Sequence, residues 1–132
     1  MLAAFRRFPV TTYRNQLRSF CAMSESKFES LANTELETIA DLVDSQICDN
    51  DDVDGSVELH EGVLTIDFLA PAKGTFVVNK HTASRQIWYS SPVSQPAYFD
   101  ADSGWYSKRL GMVLRSKLAL DVEKLVRIRL EL

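Results

Sequence analysis

A chain of 132 residues with 45% hydrophobic and 10% aromatic side chains suits one compact domain with a single core, which excludes a disordered polyelectrolyte and gives no reason for a second domain. The formal net charge of -3 conceals an asymmetry: residues 1–24 carry four arginines and no acid, whereas the remainder carries 11 basic against 18 acidic side chains, a balance of -7. An acidic body disfavours nucleic acid as a ligand, and no segment approaches the ~18 consecutive apolar residues of a membrane-spanning helix.

Residues 1–24 contain Arg6, Arg7, Arg14 and Arg18, several hydroxyls and no long apolar run. That composition is that of a mitochondrial transit peptide, cleaved near residues 18–23, with a mature domain over 25–132; a basic tail that stays attached is the alternative. Cys21 falls in this leader and leaves Cys48 alone, so the mature chain forms no intramolecular disulfide and suits a reducing compartment.

Phe28, Leu31, Ala32, Ile39, Leu42, Val43 and Ile47 recur at three- and four-residue steps behind Ser24 or Ser26 as a cap, which predicts a helix over 25–47. Its opposite face stacks Glu29, Glu37, Asp41 and Asp44. A turn-rich stretch over 48–55 leads to a short strand over 56–59, closed by His60-Glu61-Gly62. Strands follow over 63–69, with Leu64, Ile66 and Phe68 inward, and over 75–80, with Phe76 and Val78 inward and Thr75, Val77 and Asn79 outward. In the strand over 85–90, Ile87 and Tyr89 face the core, and Gln86 and Trp88 face out. A slip of one residue would bury Trp88 but also Gln86 and Asn79 without partners, at roughly 1–3 kcal/mol each.

Pro92 and Pro96 punctuate a loop before Tyr98-Phe99, and Gly104-Trp105-Tyr106 suggests a further short strand. Leu110, Val113, Leu114 and Leu118 predict a second helix over 107–118, with Lys108, Arg109, Arg115 and Lys117 on its water side. Residues 119–132 read as an extension whose Leu120, Val122, Leu125 and Ile128 pack between the helices. Helix, short-looped strands and helix together specify an α+β fold, a two-layer sandwich of an antiparallel sheet with two terminal helices on one face.

No phosphate loop, nucleophile elbow or paired-cysteine motif is present, and His60 and His81 read as solvated turn histidines. Two features carry more. Residues 25–61 hold twelve acids against Lys27 alone, with little of the sign mixing that stabilises a solvated helix. Such carboxylates suit iron(II), manganese, calcium or magnesium, bound weakly because a helix and an edge strand cannot close into a cage; a docking face for a basic protein is the alternative. The outward strand face carries Thr75, Val77, Asn79, Gln86 and Trp88, an aromatic anchor among amides as found at protein-interface hot spots. Burial of Trp88 under the C-terminal extension or the proline loop is the competing reading.

Thr75-Phe76-Val77-Val78-Asn79-Lys80 followed by Gln86-Ile87-Trp88-Tyr89-Ser90-Ser91-Pro92, with Gly62-Val63-Leu64-Thr65-Ile66 and an acidic helix upstream, resembles the frataxin family over about residues 28–118. The resemblance implies a helix–sheet–helix sandwich in the mitochondrial matrix that docks on the cysteine desulfurase and iron–sulfur scaffold protein and activates sulfur transfer allosterically. It also implies weak, exchangeable, carboxylate-bound iron, a chaperone or ferroxidase role, and a monomer that forms oligomers with iron. By position, Glu29, Glu37, Asp41, Asp44 and Asp54 match the family's metal-binding ridge, and Asn79, Lys80, Gln86 and Trp88 its partner-binding sheet surface. Asn33, Thr34 and Ser45 stand where many members have acids, and Ala97-Tyr98 replaces a pair often basic in eukaryotic members.

Overall fold

The computed structural model describes residues 23–132; apart from Met23 and Ser24, the transit-peptide expectation for 1–24 lies outside the described residues. Helix α1 spans Glu25–Cys48, and its start is set by Ser24, whose hydroxyl accepts the Lys27 amide at 3.1 Å. Phe28, Ala32, Leu36, Ile39, Ala40, Val43 and Ile47 form its buried stripe. Leu31, expected in that stripe, is 40% exposed, and Leu36 takes the place between Ala32 and Ile39.

Seven strands follow: β1 (Asp54–His60), β2 (Val63–Ala70), β3 (Gly74–His81), β4 (Gln86–Ser90), β5 (Ala97–Asp100), β6 (Tyr106–Ser107) and β7 (Met112–Val113). They pair in sequence order, each antiparallel to the next. Short connections permit only this meander: Glu61 and Gly62, both at positive φ, turn β1 into β2 as a two-residue hairpin whose twist suits the strands. Between β3 and β4 a single turn of 3-10 helix, Thr82–Ser84, ends on Arg85 in the left-handed region.

Leu64, Ile66, Phe68, Phe76, Val78, Ile87 and Tyr89 point to one side and are buried, so the expected register holds through three strands, and Phe99 of β5 joins them. Both helices cover that side: Leu36, Ile39 and Val43 of α1 join Leu114, Leu118 and Val122 of helix α2 (Leu114–Val126) in one core with the sheet. The fold is the expected two-layer α+β sandwich. No helix of the described residues is long and apolar enough to cross a membrane.

The second helix departs from expectation. It begins at Leu114, not at 107, and runs to Val126 through most of what reads as an extension; only the last six residues leave it, with Leu130 buried. Gly111 at φ 66° and the Ser107 hydroxyl, which accepts the Leu110 amide at 3.4 Å, make residues 107–113 a β6–β7 hairpin instead. Among the helix's expected water-side cations, Arg109 donates to the Pro96 carbonyl at 2.7 Å, and Lys117 and Arg115 are engaged as well. Lys117 is buried beside Asp121, and Arg115 reaches across to Glu35 on α1.

Candidate functional site

With both helices on one side, the other side of the sheet is left open, and the centre of that open face is Trp88. Its indole points away from the core as the alternation of β4 requires, yet it is half-buried by its neighbours. Across the strands Asn79 pairs with Trp88 on one flank and Tyr98 on the other. The Tyr98 ring lies 5.3 Å from the indole at 59°, and His81 stacks on it at 3.7 Å with planes 10° apart. The indole N–H donates to Gln86 Oε1 at 3.2 Å, and the Gln86 amide donates to Asp100 Oδ1 at 2.9 Å. Aromatic and amide groups thus frame one another on a flat face, the composition of an interface core.

Ala97 and Tyr98 have different fates. Ala97 is fully buried, so only Tyr98, half exposed, can bear on a partner. Lys80 is not a free cation: its ammonium is held by Glu29 Oε2 and donates to Asn33 Oδ1 at 3.1 Å. The Thr82 hydroxyl donates to the other Glu29 oxygen. Lys80 first and Thr82 second hold the Glu29 carboxyl below its usual range. A metal-ridge residue and a partner-face residue by position are therefore bonded to each other.

The remaining ridge acids stay open. Glu37, Asp41 and Asp44 line one shallow groove of about 370 Å³ against Val57 and Leu59 of β1, and all three are exposed. None of them makes an ion pair with any described residue, whereas Glu35, one step away, accepts two hydrogen bonds from Arg115 at 2.8 and 2.9 Å. Hydrogen bonding to Glu35 raises the Arg115 guanidinium above its usual value. Asp54 is exposed at the start of β1, where the register against β2 shifts. Among the described residues no three His, Cys, Asp or Glu side chains converge closely enough to enclose a metal ion. An open carboxylate edge can attract a cation or a basic surface; it cannot grip a metal in a closed shell.

Sequence reasoning missed the supporting places of His81, Arg115 and Asp121; His81, expected as a solvated turn histidine, ends β3 and stacks on Trp88 instead. Asp121 is fully buried and accepts from the Tyr89 hydroxyl and the Ser94 hydroxyl, both at 2.6 Å, and from Lys117 at 3.2 Å. Burial pushes its carboxyl up, but Ser94, Tyr89 and Lys117 together hold it below the usual range; burial, then Asp121, raises the Tyr89 phenol. This cluster ties the loop after β4 to α2 behind the open face.

The architecture defines a class: a two-layer α-β sandwich with an open sheet face and an adjoining acidic edge. The chain belongs to the frataxin family, since residues 21–127 match the Frataxin-like domain model. A mitochondrial frataxin of Dictyostelium discoideum is 37% identical over 112 residues, covering 80% of this chain and 55% of the relative. The chain spans about half the length of the curated relatives it matches. Among solved structures, the trimeric yeast frataxin complexed with ferrous iron superposes with a TM-score of 0.64 at 35% identity over 74% of this chain and 87% of that one. A frataxin from Psychromonas ingrahamii, 20% identical, shares the fold with a TM-score of 0.69 over 83% of this chain and 97% of that one.

Proposed function

We propose that this protein activates iron–sulfur cluster assembly in the mitochondrial matrix by docking on the complex of cysteine desulfurase and scaffold protein. The observation that carries the reading is the indole of Trp88 held on an open sheet face among Asn79, Gln86 and Tyr98, beside carboxylates that make no ion pair with any described residue. The effect is positional. Trp88 and its neighbours pack against the scaffold, Glu37, Asp41 and Asp44 meet a basic surface, and the complex is shifted toward the arrangement competent for sulfur delivery. Lys80 contributes as a strut that fixes the β3 end to α1. The Arg-rich residues 1–24 serve as the cleaved leader.

Iron(II) is cargo in this reading, bound weakly and exchangeably at Glu37, Asp41 and Asp44 with water completing its coordination, while Glu29 is taken up by Lys80 and Thr82. The ferrous complex of the trimeric yeast relative supports iron binding, and the trimers of that relative support an ability to oligomerise. The second reading, a ferroxidase, is favoured by the same groove, where three anionic carboxylates stabilise iron(III) over iron(II). It requires iron-dependent dioxygen consumption that disappears when the three become amides.

The test is a reconstituted cluster-assembly assay. Trp88→Ala is expected to remove about 2 kcal/mol or more of docking energy, as hot-spot truncations do, raising the half-saturating concentration at least about thirtyfold while the variant stays folded. Unchanged stimulation by a folded Trp88→Ala protein would overturn the reading.

A further inference from the structure

Asn79 pairs with Trp88 and His81 with Gln86, so His81 and Trp88 are diagonal neighbours on the open face. Diagonal positions lie beyond the reach of small side chains but within that of aromatic ones. Here the two rings lie almost parallel, 3.7 Å apart at 10°. The imidazole is itself fixed, with Nδ1 2.7 Å from the Ser84 hydroxyl in the turn Thr82–Ser84. That turn is tied to the start of α1, because Thr82 donates to Glu29 and Arg85 donates to the backbone carbonyl of Met23 at 3.3 Å.

The indole consequently has little freedom left. His81 covers one ring face, Gln86 takes the N–H at 3.2 Å, and Tyr98 flanks it at 5.3 Å. An approaching partner meets a π face and an apolar edge, with the polar atom already spent.

We infer that His81 is a positioning residue that locks the Trp88 indole in one orientation before a partner protein arrives. This rests on the reading that the face around Trp88 docks on the desulfurase–scaffold complex. A side chain that must be immobilised during binding weakens association, and prior locking removes that cost, which for one such ring corresponds to roughly 3- to 10-fold in affinity.

The full chain and its His81→Ala, His81→Phe and Trp88→Ala variants are titrated into the reconstituted desulfurase–scaffold complex, and the Trp88 indole N–H resonance is followed in the free proteins. His81→Ala is expected to raise the half-saturating concentration about 3- to 10-fold with the maximal stimulation unchanged, and to shift the indole resonance and speed its exchange. His81→Phe, which keeps a stackable ring and lacks both nitrogens, restores the half-saturating concentration to within about twofold of the native protein. A His81→Ala protein that saturates like the native one while Trp88→Ala does not overturns the inference and leaves the docking reading standing. So does a His81→Phe protein as weak as His81→Ala. If Trp88→Ala also saturates normally the docking reading fails, and an indole resonance unmoved by His81→Ala then refutes the locking as well.

Discussion

The two halves of α1 treat their carboxylates in opposite ways. In the first half Glu29 and Glu35 are each met by a cation from a distant element, Lys80 on β3 and Arg115 on α2. In the second half Glu37, Asp41 and Asp44 face the groove beside β1 with no ion pair to any described residue. A fold that recruits cations across 51 and 80 residues of chain has the means to neutralise acids where stability requires it. The open half therefore carries charge that the folded domain does not use for itself, as expected of a surface kept for a cationic ligand or partner.

Removing an acid that the fold does neutralise tests the other side of this contrast, and Asp121 on α2, fully buried beside Lys117, is such an acid. Asp121→Ala leaves the buried Lys117 ammonium and the Tyr89 and Ser94 hydroxyls without their common acceptor. The expected loss is about 3–5 kcal/mol in urea unfolding at neutral pH, and a loss below about 1 kcal/mol would mean that the cluster anchors little.

A smaller effect follows from acid. The Asp121 and Glu29 carboxyls are held below their ordinary range in the folded state, so they bind protons less readily there than in the unfolded chain. Their stabilisation is complete above the unfolded carboxylate value of about 4 and is lost as pH falls through the lower folded values. Unfolding free energy measured at descending pH should therefore drop below about pH 4, and Asp121→Asn should make that drop shallower.

What was legible in the sequence is what local periodicity encodes. The buried stripe of α1 and the inward faces of β2, β3 and β4 follow from steps of three to four and of two, and they placed Trp88 outside the core. The second helix was misplaced because Leu110, Leu114 and Leu118 fit helical spacing as well as Leu114, Leu118, Val122 and Val126 do. Gly111 in the first series, and Lys117 four residues before Asp121 on a greasy face, were the signals that distinguish them. The acidic helix read as unopposed because Lys80 and Arg115 are remote in sequence. The His81–Trp88 stack needs the β3–β4 register and a left-handed Arg85 together, and neither is visible in composition.

The most direct test takes the open half alone. In Glu37→Gln/Asp41→Asn/Asp44→Asn two like-charge contacts at helical spacing disappear, and the unfolding free energy should rise by about 0.4–1 kcal/mol. The same protein, titrated into the reconstituted desulfurase–scaffold complex, should lose most of its stimulation of cluster assembly. A variant that is more stable and less active is the predicted result; one that stimulates fully, or that unfolds more readily than the native chain, contradicts the account.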